Sequence, residues 1–377
     1  MRGYNPEAAG WLLWFSRRAV CRLQSIDRNE LELMSISRFF HEPQGLWYHG
    51  GAVAYALLAY AFGLAGLFAH HWVINIVATL LLAHGMTIAA YMIHECGHNT
   101  VFSSNQVNAS LGHFLNWICG ACYGTFEDIR YKHFRHHLDN DDAVWWEFAP
   151  FFQRHPLVYR LTRWLEWLYI PAHELIMHGM MVFTAFLIPA RRDQRRRNVV
   201  VILLRGGVFF TVLWLAPRAA LLYLLAYVLM IHLLRLMDST HHDYGPNPTL
   251  FVDHPPSRFG GRETEQEHTF SCPLSLRCEK LNWLVLNFGF HNAHHLRPTV
   301  PWYRLPAYDR EKLGSDPRRY IPFRSQLKMY HRFRVCRVMH EGGPYDEQQS
   351  AMGQDYLEAC RAVRNYGGNA VSFLTSF

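Results

Sequence analysis

Apolar residues gather along this chain into four runs long enough to cross a bilayer, and polar residues gather between them. Residues 46–69 and 72–93 contain no Asp, Glu, Lys or Arg. Residues 198–216 and 219–237 are similar, interrupted by Arg205 and, near the end, by Arg235. A bilayer-spanning helix needs about 20 predominantly apolar residues, so the pattern predicts four spans arranged as two hairpins. Two further apolar segments, 107–126 and 171–190, carry Asn108, His113 and Asn116 or His173, Glu174 and His178. Their polar content predicts helices lying in the membrane interface rather than crossing it. An amphipathic helix is expected across Leu31–Phe40. Pro246, Pro248, Pro255 and Pro256 mark an irregular loop after the fourth span, and residues 341–377 read as a weakly ordered tail.

Composition alone hides this character, because a mean hydropathy of −0.08 averages the spans with very polar connections. The net charge is +7, and its placement says more than its size. Arg191, Arg192, Arg195, Arg196 and Arg197 stand directly before the third span, and Arg17, Arg18, Arg22, Arg28 and Arg38 precede the first. The connections at His70-His71 and Pro217-Arg218 carry one fixed positive charge between them. The positive-inside rule then places both termini and segment 94–197 in the cytoplasm, as expected of a multi-pass membrane protein. Basic flanks of this kind are routine beside spans, so the charge does not indicate nucleic acid. From Arg310 to Arg337 nine Lys/Arg face two acids. Contact with anionic membrane lipids accounts for this better than docking of an acidic electron carrier. Trp11–Phe15 is too short for a signal-peptide core. Eight cysteines show no disulfide framework, and Cys119-Gly-Ala-Cys122 lacks a thioredoxin-like context, so it reads as tightly packed small residues. The expected organisation is a lead-in over 1–45, a membrane catalytic domain over 46–310 and a basic tail over 311–377.

Three histidine clusters carry the chemistry: His94 and His98, then His133, His136 and His137, then His291, His294 and His295. Spacings of three and four place imidazoles on one helical face. The topology puts all three clusters on one side of the membrane, where they can share a site. Imidazole suits zinc, copper, iron and nickel alike. Structural zinc is satisfied by four ligands, usually including cysteine, whereas eight histidines suggest two ions with four or five nitrogens each. A further ligand is expected where the fourth span ends. Asp238 and His242 fall four apart there, which favours His242 as a ligand and Asp238 as a supporting carboxylate, with His241 as the substitute. Glu95, Asp128, Asp139 and Asp238 are candidates to orient the rings from behind. His84 and Arg205, inside spans, are expected to face polar partners in the bundle. His70, His71, His113, His173, His178, His232 and His254 lack a cluster partner and are not expected to bind metal.

Over residues 45–310 the chain resembles the membrane fatty acid desaturase and hydroxylase superfamily. The likeness rests on HECGH, HFRHH and HNAHH in the order and relation to spans that the superfamily shows. His98–Phe102, Glu267-His268-Thr269 and His295–Pro298 followed by Pro301 look like the acyl-lipid branch, and the first box has the three intervening residues of omega-type and Δ12-type enzymes. Asp238–His242 is similar to an Asn-xxx-His element that supplies the ninth histidine in acyl-CoA desaturases, with Asp replacing Asn. His268, in a matched segment, takes a supporting role. The resemblance implies an all-α membrane bundle with a cytoplasmic helical cap, two Fe²⁺ ions as the catalytic group and O₂ as co-substrate. It implies a fatty-acyl lipid, acyl-CoA or acyl-ACP substrate. The chain lacks a His-Pro-Gly-Gly haem signature, so a separate ferredoxin or cytochrome b5 with its reductase would deliver electrons. A hydroxylase, acetylenase or carotenoid-modifying oxygenase is the alternative on the same scaffold, and a membrane metal transporter or sensor the alternative of another class. Apolar positions near Ala89–Ile93 and Leu281–Phe290 are expected to line the acyl channel.

Overall fold

The computed structural model describes residues 39–120, 123–244, 249–250, 262–339, 352–365 and 367. Its regular structure is helical, with only isolated β-bridges beside it. Four helices are long and apolar enough to cross a membrane: α1 (Gly45–Gly66), α2 (Trp72–Gly97), α8 (Pro189–Leu215) and α9 (Pro217–Asp238). They coincide with the four expected runs and form two hairpins, α1–α2 and α8–α9. Between them lie α3 (Asn105–Cys119), α4 (Phe126–Asp139), α5 (Phe148–Arg154), α6 (Pro156–Trp167) and α7 (Ala172–Leu187). After the second hairpin come α10 (His291–Leu296), α11 (Leu305–Leu313), α12 (Phe323–Arg332) and α13 (Gly353–Arg361).

The first hairpin closes through small residues. A Cβ at Gly63 would stand 2.9 Å from the Leu82 backbone, and one at Gly85 would meet Ala59 at 2.9 Å. Such absences of side chain let membrane helices approach closely. Asn75 Nδ2 donates to the carbonyls of Gly66, Leu67 and Ala69 at 2.9–3.2 Å, satisfying the C-terminal end of α1. In α8 the apolar side chains of Leu203, Val208, Phe210 and Trp214 are exposed, as a lipid-facing helix requires. α2 is buried without a break from Gly85 to Gly97, exposes Trp72, Ile74, Val77 and Leu80 nearer its start, and packs on α9, so the core lies between the hairpins.

Segments 107–126 and 171–190 form helices of 15 and 16 residues, outside the set of membrane-length spans. The polar residues of α7 have structural work. Glu174 faces Arg235 of α9 at 3.8 Å, and Glu166 of α6 pairs with the same guanidinium at 3.1 Å. The interfacial expectation fails for α3, which dips into the bundle. The Trp117 carbonyl accepts from Arg205 Nη1 at 2.9 Å, and Gly120 (φ +85°) sits where a Cβ would strike the Tyr227 ring. Both partners lie well inside their spans. A helix C-terminus at that depth has no water for its carbonyls, and Arg205 serves them instead. His84 likewise bonds the Leu284 carbonyl at 2.9 Å and Tyr55 Oη at 2.5 Å.

The tail expectation is corrected in part. α13 buries Tyr356, Leu357 and Cys360 against Phe270, Ile321 and Met329, because its apolar residues recur at helical spacing. The expected helix at 31–40 lies outside the described residues except for Phe39 and Phe40, which pack on Phe102. The prolines of the loop after α9, His254 and Cys122 also lie outside them.

Candidate metal centre

Each histidine cluster is delivered by a different local device. His94 lies in the last turn of α2 and His98 is its C-cap. α4 starts on a capping box in which Thr125 Oγ1 accepts from the Asp128 N–H and the Asp128 carboxylate accepts from the Thr125 N–H. Arg191 and Gln194, just before the membrane portion of α8, grip the same carboxylate at 2.9–3.3 Å. The helix so anchored turns His133, His136 and His137 inward. His242 follows the end of α9, held by a bridge to Thr269 and by Phe270 N–H donating to the His241 carbonyl at 2.7 Å. α10 begins after Gly289, where a Cβ would stand 2.4 Å from the Cys272 carbonyl oxygen; glycine is required for that approach.

These devices bring the nine expected histidines together. His94, His98, His133 and His294 form one set of potential ligands, and His136, His242, His291 and His295 a second, each with ligand atoms within 4.8 Å of one another. His137 stands between the sets: its Nε2 is 3.1 Å from those of His133 and His294, and its ring centroid is 4.3 Å from that of His295. Adjacent Nε2 atoms across the cluster are 2.5–3.2 Å apart. A ring nitrogen offers one in-plane direction, either a lone pair or an N–H. Yet His133, His291, His294 and His295 each turn Nε2 toward two other Nε2 atoms. Hydrogen bonding cannot satisfy such a focus, whereas a cation can. With metal–nitrogen bonds of about 2.1 Å at right angles, neighbouring nitrogens stand about 3.0 Å apart. The side chains therefore fit two metal ions.

The opposite ring nitrogens meet oxygen. His136 Nδ1 is 2.9 Å from Asp142 Oδ1, His295 Nδ1 is 2.7 Å from Glu265 Oε1, and His242 Nδ1 is 3.1 Å from the His268 carbonyl oxygen. Such contacts fix the tautomer that turns Nε2 inward. Glu95, 3.6 Å from His94 Nδ1, also accepts from Thr100 Oγ1 and the Trp302 N–H. Burial, followed by the neighbouring imidazoles, holds His98, His133, His137, His291, His294 and His295 well below the usual imidazole pKa. His242 is lowered in the same way, by burial and then His136 and His241. Burial acts on His136 too, but Asp142 outweighs it and its pKa rises.

Several expected supports lie elsewhere. Asp128 caps α4, and Asp139 pairs with Arg135 one turn away on the same helix. Asp238 stands 3.8 Å from His241 Nδ1, and His241 stacks on the His291 ring at 4.1 Å without entering either set. His268 contributes its backbone carbonyl to His242 while its ring bonds Asp243 at 2.9 Å. The unclustered histidines among the described residues also stay outside the sets. His113 meets Glu127 at 2.9 Å, His178 meets Tyr227 Oη at 2.8 Å and His232 meets Tyr330 Oη at 2.7 Å. Asp142 and Glu265 were not foreseen. The first follows the second box in the acidic run Asp139–Asp142, and the second is the buried acid of the segment in which Glu267 is exposed. Beside the imidazoles of His98, His137 and His295 lies a cavity of about 570 Å³. Of the segments expected to line a channel, Ala89–Ile93 is packed core, and Leu281–Phe290 buries Val285, Leu286, Phe288 and Phe290 but exposes Leu281, Trp283 and Leu284.

The fatty acid desaturase family model matches residues 70–327, the stretch that holds all nine histidines. The chain belongs to the fatty acid desaturase family. This membership makes it an oxidoreductase and sets aside the transporter alternative. The protein is also similar to the sphingolipid delta(4)-desaturase DES1 of Drosophila melanogaster, at 25% identity over 283 residues, covering 72% of this chain and 75% of that protein. The fold and the site thus describe a membrane-embedded desaturase-family protein with a two-metal histidine centre.

Proposed function

We propose that the chain removes two hydrogens from adjacent methylenes of a lipid's acyl chain, using O₂, at two iron ions held by His94, His98, His133, His136, His137, His242, His291, His294 and His295. The observation that carries this reading is the convergence of the nine imidazoles into two sets beside a cavity, at one end of four membrane-length helices. Bound there, redox-active iron supplies the oxidation of unactivated C–H bonds that side chains alone cannot perform. The residues of the chain do the rest. Asp142, Glu265 and the His268 carbonyl fix ring orientation, and burial keeps the seven lowered imidazoles neutral and ready to ligate. Phe134, Leu138 and Pro298 offer apolar wall to the chain that is to be held still beside them.

The distribution of arginines supports a cytoplasmic position for this centre and for both termini, with a separate ferredoxin or cytochrome b5 as electron donor. The first-box spacing and the strings after His98 and His295 support the acyl-lipid, omega or Δ12-type branch. The similarity to a sphingolipid desaturase supports a lipid amide as a second substrate class. Lipid profiling by mass spectrometry, in a host expressing the chain, tests the reaction. New species lacking two hydrogens are expected; species that gain one oxygen instead would replace the desaturase with a hydroxylase.

A further inference from the structure

His242 is aimed by other means than the histidines of α2, α4 and α10. α9 ends at Asp238, so this ring stands four residues past the helix and no helical ladder fixes its direction. Its Nδ1 donates to the His268 carbonyl at 3.1 Å, and the His268 ring donates back through Nδ1 to the Asp243 carboxylate at 2.9 Å. Asp243 is 2% exposed, and a carboxylate so buried must be met by donors. A second donor is the Gly353 N–H, 2.7 Å from Oδ2. Gly353 opens α13, whose first N–H groups have no acceptor within the helix and favour a negative charge.

α13 is itself fastened to the segment that holds His242. Tyr356 packs on Phe270 with ring centroids 4.7 Å apart, Leu357 and Cys360 join the same cluster, and the Arg361 carbonyl accepts from Ser325 Oγ at 3.0 Å. Farther on, Gly367 lies so close to the end of α9 that a Cβ would stand 2.1 Å from the Ser239 carbonyl oxygen. All of this lies beyond residue 327, where the family match ends.

We propose that Asp243 is a positioning residue for the second metal set and that α13 is the clasp that holds it in place. The inference rests on the two-metal reading and adds the residues that aim one ligand. Asp243 fixes the His268 side chain, the His268 carbonyl fixes the His242 ring, and the Gly353 N–H keeps the carboxylate from turning away. His242 belongs only to the set with His136, His291 and His295. Loosening Asp243 therefore acts on one ion site and spares the set of His94, His98, His133 and His294.

Hydrogen exchange of the detergent-solubilised full chain, before iron is added, reads the clasp directly. Asp243→Ala is expected to speed exchange about tenfold in peptides covering 239–244 and 268–270, as loss of a buried hydrogen bond would, and to leave α2 at its original rate. Asp243→Asn, whose amide oxygen still accepts, should stay near the unaltered protein. Leu357→Asp, which loosens α13 and leaves Asp243 present, should reproduce the faster exchange at 239–244; no change there overturns the clasp. Fe²⁺ is then added and a chelator raised in steps. The unaltered chain should hold two ions, whereas in Asp243→Ala one should leave at about tenfold lower chelator and the other at the unaltered level. Unchanged exchange and retention in Asp243→Ala overturn the proposal. So does equal loss of both ions with exchange raised through α2, which is general loosening. Should that variant not fold, His268→Phe keeps the carbonyl and removes the ring N–H; it must give the same local change, or the proposal falls. An unaltered chain that holds fewer than two ions, with exchange responding as expected, removes the two-iron reading alone. Two firmly held ions with no response at 239–244 remove the positioning inference alone.

Discussion

At Asp142 and Glu265, carboxylates stand behind two imidazoles of the same set, at 2.9 and 2.7 Å from Nδ1. Removing the negative charge while keeping the shape, as in Asp142→Asn or Glu265→Gln, is expected to weaken metal retention about 10- to 100-fold. Metal analysis after graded chelator challenge reads this directly, and unchanged retention in both variants would exclude the role. His136→Ala removes a proposed ligand outright; product formation should vanish while the protein stays in the membrane fraction. The histidines were legible in the sequence because helical spacing alone puts them on shared faces. The acids behind them were not. Asp128 and Asp139 looked as suitable as Asp142, but one caps a helix and the other pairs within its own helix. Glu265 reaches His295 across 30 residues of chain, a distance that spacing cannot bridge.

Among the elements, the four spans were readable from uncharged length, since any lipid-facing charge would have been costly. The descent of α3 was not. A 15-residue amphipathic helix has the same pattern whether it lies flat or dips, and only the Trp117–Arg205 contact decides between them. The α1–α2 contact depends on missing side chains, so Gly63→Val should force the hairpin apart at Leu82. Overpacking of this kind costs about 1–3 kcal/mol, which would appear as a lowered thermal transition of the purified protein. An unchanged transition would show that the hairpin can yield there.

For the whole molecule, acidification and sidedness give separate tests. Seven buried histidines have lowered pKa values, by burial first and neighbouring imidazoles second. Unfolded, they take up protons near the ordinary value of about 6.5. Below that pH the unfolded chain binds more protons than the folded one, so stability falls. His136, with a raised pKa, acts in the opposite sense: its contribution is full below about 6.5 and is lost as pH rises through its own value. Seven groups outweigh one. The metal-free protein should therefore melt at lower temperature as pH drops from about 7.5 to about 5.5. Epitope tags at the two termini should become accessible to antibody only after the cell membrane is opened; labelling of intact cells would reverse the orientation. A last consequence follows from how the histidines are shared. The first hairpin supplies only the first set and the second hairpin only the second, whereas α4 and α10 each supply both. Those two helices thus act as paired calipers: the separation of two ions held there would be set twice, in units of the helical turn. One residue inserted between His133 and His136 would leave every donor present and the gauge wrong.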